Sequence, residues 1–489
     1  MKLSQLLSPL GLACPEDDLE ITGLTCDSRQ VEPGMLFAAL PGARADGADY
    51  ISQALERGAA AVLTSGPALP GVPTVTVPDP RETLALLAGE FYGHPARELT
   101  LLAVTGTKGK TTTAHMLRDI LAAAGHRTGM MGTLGAFAGE ERLADTGNTT
   151  PEPVALHALL RRMAEKGCTH AVMEVSSQAM KLGRVAGVPF AAGLFLNLSP
   201  DHIGPGEHVD LAEYRACKAA LFCQCALAAG NADDPAWPFI RGQVPAGVPA
   251  TTFGFGEGAR IRCAAVAPDP DRPLSTLVWV AGTDRPYSVP LPGAFNGANA
   301  LAAIALCRAL GVADDAIRAG LARVSVPGRA QVCPLGNGVT ALIDYAHNGE
   351  SFRALFAALR PHVKGRILAV FGAGGDRPPM RRRDMGRAAA EGADWAILTE
   401  DNPRSEAAED ICGQIGSELH GKIPYQIIPD RRRAILWALA QARPGDLVAL
   451  LGKGHEGYIE TGGVRRPFSE RAVLEEYIRE KNSRSGLQI

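Results

Sequence analysis

A strand pattern, a glycine turn and a helix pattern follow one another directly within residues 98–125. The segment ELTLLAVTG is apolar up to Gly106, and TTTAHMLRDILAAAG then repeats apolar residues at the spacing of one helix face. A buried strand that stops at a glycine and restarts as a helix is the first half of a βαβ unit. This segment therefore predicts an α/β fold built on a mostly parallel sheet.

The turn itself, GTKGK at 106–110, is suited to binding an anion. Its glycines allow backbone N–H groups to point at one spot, at the positive end of the helix dipole. Lys110 would reach the β- and γ-phosphate oxygens of a nucleotide, and the hydroxyl of Thr111 or Thr112 would ligate Mg²⁺. The alternative is an ordinary glycine turn with solvated lysines, because Val104 stands where the usual phosphate loop has its first glycine.

Length and charge limit the remaining possibilities. A chain of 489 residues with 46% hydrophobic content predicts about three domains. It has 49 Lys+Arg and 52 Asp+Glu, so the net charge of −3 gives no reason to expect nucleic acid or a membrane surface as a partner. No run of about 18 apolar residues is present, which argues against a transmembrane helix.

The N-terminus and the cysteines favour a cytoplasmic protein. MKLSQLLSPLGLACP resembles a short lipoprotein signal ending at Cys14, but polar residues and a proline interrupt its apolar core, so we expect an amphipathic helix. The ten cysteines form no CxxC pair, which favours free thiols. The cluster Cys217, Cys223 and Cys225 leaves metal binding as an alternative, although no histidine lies at ligand spacing.

Strand and helix patterns alternate throughout and divide the chain into three predicted domains, 1–93, 94–329 and 330–489. Only the second contains the glycine turn. In parallel sheets with helices on both faces, ligands bind outside the carboxyl ends of the strands. The unusual motifs lie at such ends, which predicts one functional edge for each large sheet.

Three further side chains are candidates for a metal or nucleotide site. Glu174 ends an apolar strand in VMEVSSQ, where a carboxylate can hold a Mg²⁺ shared with phosphates. The alternative is a buried, paired structural glutamate, and His202 in NLSPDHIG has the same two interpretations. Lys218 in YRACKAALF, taken alone, has the pattern of a surface lysine whose stem covers apolar neighbours.

Taken together, these motifs resemble the Mur ligases, the ATP-dependent amide-forming enzymes of peptidoglycan synthesis. The resemblance covers nearly the whole chain, and it is carried by TCDSRQVEPGMLFAALPG (25–42), VTGTKGKTTT (104–113), GNTTP (147–151), MEVSSQ (173–178), NLSPDH (197–202), YRACKAALF (214–222), GAFNGANALAA (293–303), PGR (327–329), DYAH (344–347), FGAGGDR (371–377), DNPR (401–404) and GKGHE (452–456).

The resemblance implies a fold and a reaction. The three domains would be a small α/β domain that binds the UDP substrate, a central phosphate-loop domain and a C-terminal Rossmann-like domain that binds the amino acid. ATP would phosphorylate the carboxylate of UDP-MurNAc-L-Ala-D-Glu, and the acyl phosphate would then react with an amine. ADP and phosphate would be released.

The resemblance also assigns roles residue by residue. The phosphate loop would hold ATP through Gly106, Thr107, Gly109, Lys110, Thr111 and Thr112, and the other nucleotide contacts would be Asn296, Arg329, Asp344 and His347. Two Mg²⁺ ions are expected, with Thr111, Glu174, His202 and Lys218 at the metals. Lys218 matches a lysine that is carbamylated in this family. Ser28 would contact the uridine, and the muramoyl-peptide would be held by Thr149, Thr150, Ser176 and Arg184, with Arg184 clamping a carboxylate.

The motif DNPR indicates the last substrate. In the family, an arginine at position 404 accompanies enzymes that add meso-diaminopimelate, whose extra carboxylate a guanidinium can grip in a bidentate manner. The pocket would be completed by Arg377, Asp401, Asn402, Gly452 and Glu456, with the acids meeting the distal ammonium. The alternative for DNPR is a proline-stopped turn with a surface arginine.

Other functions would account for some of these motifs. The same ligase with L-lysine, another Mur ligase, or a folylpolyglutamate synthase would share the phosphate loop and the lysine. A kinase or simple ATPase would not need the C-terminal motifs, and a non-catalytic nucleotide-binding protein would not need Lys110, Glu174, His202 and Lys218. Departures from the family pattern, such as Gln178 after EVSS and Arg381 in GGDRPPMRRR, affect the fine contacts around 178 and 378–383. A monomer is expected.

Overall fold

Helices and strands alternate along the chain, as the sequence predicts. The helices are α1 (Leu3–Leu7), α2 (Ile51–Glu56), α3 (Pro80–Phe91), α4 (Lys110–Ala123), α5 (Pro153–Glu165), α6 (Ser177–Lys181), α7 (Leu211–Ala220), α8 (Trp237–Gly242), α9 (Ala294–Ala309), α10 (Asp314–Leu321), α11 (Gly349–Leu359), α12 (Pro379–Gly392), α13 (Ala408–Leu419), α14 (Arg431–Gln441) and α15 (Glu470–Ser485).

The strands are β1 (Gly23–Thr25), β2 (Met35–Ala38), β3 (Ala61–Thr64), β4 (Thr74–Thr76), β5 (Thr100–Thr105), β6 (Thr128–Gly132), β7 (Gly135–Ala138), β8 (Glu141–Ala144), β9 (His170–Glu174), β10 (Ala192–Phe195), β11 (Ala228–Asn231), β12 (Ala250–Gly254), β13 (Ile261–Pro268), β14 (Thr276–Val280), β15 (Tyr287–Val289), β16 (Gln331–Pro334), β17 (Thr340–Asp344), β18 (Ile367–Phe371), β19 (Trp395–Leu398), β20 (Tyr425–Ile427), β21 (Leu447–Leu451), β22 (Tyr458–Thr461) and β23 (Val464–Pro467).

The computed structural model describes residues 1–15, 18–42, 45–201, 203–204, 206–336 and 338–485. The chain divides into two compact units. The first comprises Met1–Cys263 with Leu301–Gly320, and the second comprises Ala264–Ala300 with Leu321–Ile489. The three predicted domain ranges are a finer division, and they stay a prediction.

The first unit contains a small parallel sheet in the order β1-β2-β3-β4. Helix α3 packs on it with Leu84 and Leu87, which share one apolar cluster with Leu36 and Leu63 of the strands. Asp79 caps the start of α3 by accepting hydrogen bonds from the backbone N–H groups of residues 81 and 82, and Pro80 fits the first helical position.

The larger sheet of this unit carries the phosphate-loop segment at its centre. Strands β12, β11, β10, β5, β9 and β6 are parallel neighbours in that order, and β7 and β8 extend the sheet antiparallel beyond β6. Residues 101–105 of β5 are buried, as expected for a parallel strand covered on both faces. The loops that follow β10, β5, β9 and β6 therefore meet at one edge.

The sheet of the second unit has the order β16-β17-β21-β18-β19-β20. All neighbours are parallel except β16, which pairs antiparallel with β17. The motifs DYAH, FGAGGDR, DNPR and GKGHE follow β17, β18, β19 and β21. Both sheets thus confirm the predicted α/β class and the placement of motifs at strand ends.

Two further findings concern the cysteines and the apolar character of the helices. All ten cysteines are free thiols, and within the described residues no three or more His, Cys, Asp or Glu side chains group as a metal site would require. None of the helices in the described residues has the length and apolar character of a membrane span.

Burial of His157 on α5 predicts an acid-sensitive fold. The side chain is 3% exposed, and neither ring nitrogen has a hydrogen-bond partner in the part of the chain that the structure describes. Burial, with a smaller contribution from His94, lowers the pKa of His157 to about 4. The unfolded chain takes up this proton near the ordinary pKa of about 6.5, so the free energy of unfolding should fall by up to about 3 kcal/mol as the pH drops from 6.5 to 4.

The variant His157→Leu is expected to flatten this pH dependence, because it removes the group that the folded state cannot protonate. Urea unfolding at pH 7.5 and pH 5 measures the effect. His420→Asn is the matched control, since His420 is exposed and its loss should leave the pH dependence unchanged. An unchanged pH dependence in His157→Leu would contradict the assignment.

Candidate functional site

The phosphate loop has the predicted local geometry. Strand β5 ends at Thr105, Gly109 adopts a left-handed conformation with φ 87°, and α4 begins at Lys110. A Cβ added at Gly106 would lie 3.0 Å from the Cβ of Leu196, so the first glycine is needed for close packing on the neighbouring loop. The positive end of the α4 dipole therefore faces the turn at the centre of the sheet edge.

Hydrogen bonds to the loop after β10 hold this turn in place. The backbone N–H of Thr107 donates to the carbonyl of Asn197 at 3.0 Å, and the N–H of Lys108 donates to Asn197 Oδ1 at 2.9 Å. The Thr107 hydroxyl lies 3.1 Å from the hydroxyl of Tyr214 and accepts from the N–H of Ser199 at 3.0 Å. The loop conformation is thus fixed by tertiary contacts as well as by its glycines.

Lys110 and Lys218 meet at the carbonyl oxygen of Gly106. Lys110 Nζ donates to this oxygen at 2.8 Å and to that of Thr107 at 3.1 Å. Lys218 Nζ donates to the same Gly106 oxygen at 2.9 Å, from helix α7. Two residues separated widely in sequence therefore reach the phosphate loop together.

Lys218 is buried, which rules out the surface-lysine alternative. Its side chain is 1% exposed, and its ammonium nitrogen lies 4.4 Å from the centre of the Tyr214 ring. Burial, followed by the charge of Lys110, lowers the pKa of Lys218 well below its ordinary value. Burial and the neighbouring Lys110 charge thus both shift Lys218 toward its neutral form.

Glu174 lies next to the phosphate loop at the end of β9 and is 2% exposed. One carboxylate oxygen accepts a hydrogen bond from the Thr111 hydroxyl at 2.8 Å, and the other accepts from the Thr133 backbone N–H at 2.8 Å. A Cβ added at Gly132 would approach Glu174 Oε1 to 2.1 Å, so Gly132 makes room for the carboxylate. Thr111 and Glu174 are therefore neighbours, as the predicted metal site requires.

The residues predicted for the muramoyl-peptide form a connected group beside Glu174. The Thr150 hydroxyl donates to the Glu174 carbonyl at 2.9 Å and accepts from the Ser176 N–H at 3.0 Å. Thr149 Oγ1 lies 3.1 Å from Thr133 Oγ1, and Arg184 Nη1 donates to the Thr150 carbonyl at 3.0 Å. Arg184 also pairs with a carboxylate of this chain, Glu152, at 2.6 Å.

The loop and its neighbours suit a magnesium nucleotide. Thr111 and Glu174 offer the hard oxygen ligands that Mg²⁺ prefers, and the glycine turn at a helix N-terminus suits phosphate. Thr112 is buried in the first turn of α4.

Two other predicted residues lie away from this loop or outside the described part of the chain. Ser28, near the small sheet, donates to Gln53 Oε1 at 2.6 Å, and His202 lies outside the described residues.

In the second unit, three of the predicted nucleotide contacts lie around β17. Asp344 is its last residue, His347 follows it, and Arg329 precedes β16, its antiparallel neighbour. The Asp344 carboxylate accepts from the N–H groups of Ala330 and Ala346 at 2.6 and 2.7 Å, and burial raises its pKa. The Arg329 guanidinium lies 4.3 Å from the Tyr345 ring centre. Burial and the charge of Arg381 lower the pKa of His347. The fourth contact, Asn296, is 3% exposed and donates to the Pro292 carbonyl at 2.8 Å.

The pocket residues after β19 and β21 are joined by a lysine that the sequence analysis did not single out. Lys453 is fully buried, and its ammonium donates to Asn402 Oδ1 at 2.9 Å and to Glu456 Oε2 at 2.7 Å. Asn402 Nδ2 also donates to Glu456 Oε2 at 2.9 Å. The only sequence signal for Lys453 was a lysine between the two glycines of GKGHE.

Arg404 lies in the turn between β19 and α13 and has an unusual backbone conformation. Its φ is 55°, in the left-handed region that long side chains rarely adopt. Its N–H donates to the Glu460 carbonyl and its Nη1 to the Gly375 carbonyl, at 3.0 and 2.8 Å. A Cβ added at Gly374 would lie 3.9 Å from both Arg404 Nη1 and the Arg377 side chain, so the two arginines flank this glycine.

Gly452, the remaining pocket residue, has φ 106°, and a Cβ there would lie 2.8 Å from Asp401 Oδ2.

Thr133 is a second residue that sequence reasoning missed. Its backbone and side chain both donate to Glu174, which is 41 residues away, and no pattern around MMGTLG indicates this contact.

Family models of known proteins match three parts of the chain. The Mur ligase middle domain matches residues 104–307, the glutamate ligase domain of Mur ligases matches 328–454, and the Mur ligase catalytic domain matches 20–92. The matched ranges contain the phosphate loop, Lys453 and Ser28, respectively.

Full-length relatives agree with these matches. The UDP-N-acetylmuramoyl-L-alanyl-D-glutamate–2,6-diaminopimelate ligase of Gloeobacter violaceus is 41% identical over 99% of this chain and 99% of its own length. The UDP-N-acetylmuramyl-tripeptide synthetase of Roseiflexus sp. is 40% identical over 96% of this chain and 97% of its own. A solved structure of a UDP-N-acetylmuramoyl-L-alanyl-D-glutamate–2,6-diaminopimelate ligase has 28% identity and a TM-score of 0.69, over 99% of both chains. The chain belongs to the Mur ligase family of ATP-dependent amide-bond-forming ligases.

Proposed function

We propose that this protein joins meso-diaminopimelate to the D-Glu carboxylate of UDP-MurNAc-L-Ala-D-Glu and converts ATP to ADP and phosphate. The names of the similar ligases support this reaction. The observation that carries the choice of amino acid is the position of the Arg404 guanidinium, which donates to the Gly375 carbonyl and lies, like the Arg377 side chain, next to Gly374. The proposal includes action in the cytoplasm as a monomer, without nucleic acid or membrane.

The first step transfers the γ-phosphoryl group to the substrate carboxylate. A carboxylate oxygen attacks phosphorus, the bond to the β-phosphate oxygen breaks, and ADP leaves. The N–H groups at the start of α4 and the Lys110 ammonium hold the phosphates and neutralise charge that builds up on them. Bound Mg²⁺ would add charge neutralisation, with Thr111, Glu174 and His202 as its proposed protein contacts.

The second step forms the amide. The amine of the incoming amino acid attacks the acyl carbon, phosphate leaves, and the nitrogen loses a proton. The protein acts mainly by holding the two reactants together and by excluding water from the acyl phosphate. The proposed holders of the muramoyl-peptide are Thr149, Thr150, Ser176 and Arg184, and Ser28 would contact the uridine.

Lys218 is proposed to act as a carbamate. Its neutral amine would attack CO₂ and lose a proton, which replaces a cation by a carboxylate-like anion beside the phosphate loop. Such an anion can support a second Mg²⁺, whereas an ammonium would repel one. The burial of Lys218 and the lowered pKa of its amine both favour this modification.

The amino-acid pocket is proposed to recognise a side chain with both an ammonium and a carboxylate at its end. Arg404, with Arg377, would bind the carboxylate, and Asp401, Asn402, Gly452 and Glu456 would lie around the ammonium. A lysine side chain would leave Arg404 without its carboxylate partner, which is costly for a partly buried guanidinium.

Phosphate release from Mg²⁺-ATP and UDP-MurNAc-L-Ala-D-Glu tests the proposal directly. Meso-diaminopimelate and L-lysine are compared as the third substrate. Release with diaminopimelate only is expected. Release with lysine at an equal rate would overturn the amino-acid choice, and release with neither would point to a different muramoyl or folate-type substrate.

The variant Arg404→Met should lower kcat/KM for diaminopimelate by about 10²-fold, because a charge-assisted pair to the substrate carboxylate is lost. The KM for ATP should stay within about twofold of the wild-type value, since Arg404 is not proposed to contact nucleotide. Steady-state phosphate release measures both. Arg433→Met, at an exposed arginine of the same unit, is the matched control. Equal losses for ATP and diaminopimelate would indicate a structural role for Arg404.

A further inference from the structure

The buried ammonium of Lys453 has no contact with solvent and is surrounded by pocket residues. In addition to Asn402 and Glu456, Asp401 Oδ1 lies 3.5 Å from Lys453 Nζ, and the side chain is 0% exposed. An ammonium buried in this way is costly unless its partners compensate it. All three partners are residues that we propose to surround the distal end of the amino acid.

Lys453 fixes the orientation of two of these partners. Asn402 Oδ1 accepts from Lys453 and from the N–H of Glu460 at 3.0 Å, so the Asn402 amide nitrogen is turned toward Glu456. Glu456 Oε2 in turn accepts from both Lys453 and Asn402, which leaves Oε1 at 3.4 Å from the Tyr345 hydroxyl. The direction in which Glu456 presents its second oxygen therefore depends on Lys453.

Lys453 also sets the charge of the pocket. Asp401 and Glu456 contribute two negative charges, and Lys453, Arg404 and Arg377 contribute three positive charges. Burial alone would raise the pKa of Glu456, but the charge and hydrogen bond of Lys453, with a hydrogen bond from Asn402, hold that pKa below its ordinary value. Without Lys453 these five positions would lose their net positive charge, so the pocket would accept a side chain that ends in an ammonium alone more readily.

We propose that Lys453 is a positioning residue that determines amino-acid specificity. It orients Asn402 and Glu456 and balances the charge of Glu456, so that the pocket accepts a side chain ending in an ammonium and a carboxylate and discriminates against one ending in an ammonium alone. The inference rests on the proposed function, since it concerns the same amino-acid site.

The variant Lys453→Met tests this inference, because methionine has a similar length and no charge. The quantity to measure is the ratio of kcat/KM for diaminopimelate to kcat/KM for L-lysine. We expect this ratio to fall by about tenfold or more, while the KM for ATP changes less than about twofold. Where lysine turnover is too slow, the inhibition constant of L-lysine against diaminopimelate replaces its kcat/KM. Equal losses for both amino acids, with an unchanged ratio, would overturn the inference.

A second pair of variants keeps the test informative if Lys453→Met alone misfolds. Lys453→Met leaves two carboxylates near each other, whereas Lys453→Met combined with Glu456→Gln leaves only one. The ratio in this double variant is compared with that in Glu456→Gln alone, and we expect the loss of Lys453 to lower it there as well. Lys453→Arg keeps the positive charge and should restore most of the wild-type ratio. An unchanged ratio in the Glu456→Gln background, or no restoration by arginine, would overturn the role of Lys453.

The wild-type enzyme separates this inference from the proposed function. If it releases phosphate with neither amino acid, the proposed function fails and the inference fails with it. If it releases phosphate with diaminopimelate but the ratio is unchanged by Lys453→Met in both backgrounds, only the inference fails.

Discussion

Replacing Lys110 by alanine is expected to lower kcat by about 10³-fold, because the transferring phosphoryl group loses its main positive contact from the phosphate loop. The fold should persist, since Lys110 is only partly buried and its ammonium donates to the Gly106 and Thr107 carbonyls of its own loop. Phosphate release measures the rate, and urea unfolding checks the fold.

Lys108→Ala is the matched control for this variant. Lys108 belongs to the same turn, but its backbone N–H and carbonyl are what bind Asn197, and alanine keeps both. We therefore expect a far smaller loss of rate than for Lys110→Ala. A Lys110→Ala enzyme with a near-normal rate would mean that this loop does not hold the reacting phosphates.

The fold and the position of the loop were predictable because their causes are local. The apolar run before Gly106, the glycine turn and the helical spacing after Lys110 all lie within 98–125, and the structure places the strand, turn and helix there. The same holds for the motifs at the ends of β17, β18, β19 and β21. Short-range patterns of this kind fix which segment becomes which element.

The partners of the charged residues were not predictable, because they come from distant parts of the chain. Lys453 binds Asn402 across 51 positions, and Thr133 binds Glu174 across 41. Arg184, predicted to clamp a substrate carboxylate, is paired with Glu152 in the structure. No local pattern reports such contacts, since they depend on how parallel strands are ordered in the sheet.

Backbone strain at Arg404 could not be predicted from the sequence either, because it too depends on a contact with a distant part of the chain. The motif DNPR is compatible with an ordinary turn, and the alternative of a surface arginine followed from that pattern. The left-handed φ of 55° arises where the Arg404 N–H meets the Glu460 carbonyl of β22. Strain of this kind costs of order 1–3 kcal/mol and is found mainly at functional sites. The role of Arg404 in the amino-acid pocket stays a prediction, and the strain is consistent with it.

Lys218→Met is expected to lower kcat by about 10³-fold while the protein remains folded, because methionine fills the same buried space but cannot form a carbamate. The change removes the proposed anion beside the phosphate loop and leaves the charge of Lys110 uncompensated there. Phosphate release measures the rate. The expected loss is larger than that for Arg404→Met, since Lys218 affects the reacting phosphates rather than one end of a substrate.

Two further measurements test the carbamate itself. After exposure to ¹³C-bicarbonate, the wild-type protein should show a carbamate NMR signal that Lys218→Met lacks. Lys218→Ala leaves a cavity, and a small carboxylate such as propionate should restore part of its rate, whereas Lys218→Met should not respond, because its side chain occupies the space. A wild-type protein without the signal and a Lys218→Ala enzyme without rescue would together contradict the carbamate. In that case Lys218 would act through its hydrogen bond to the Gly106 carbonyl.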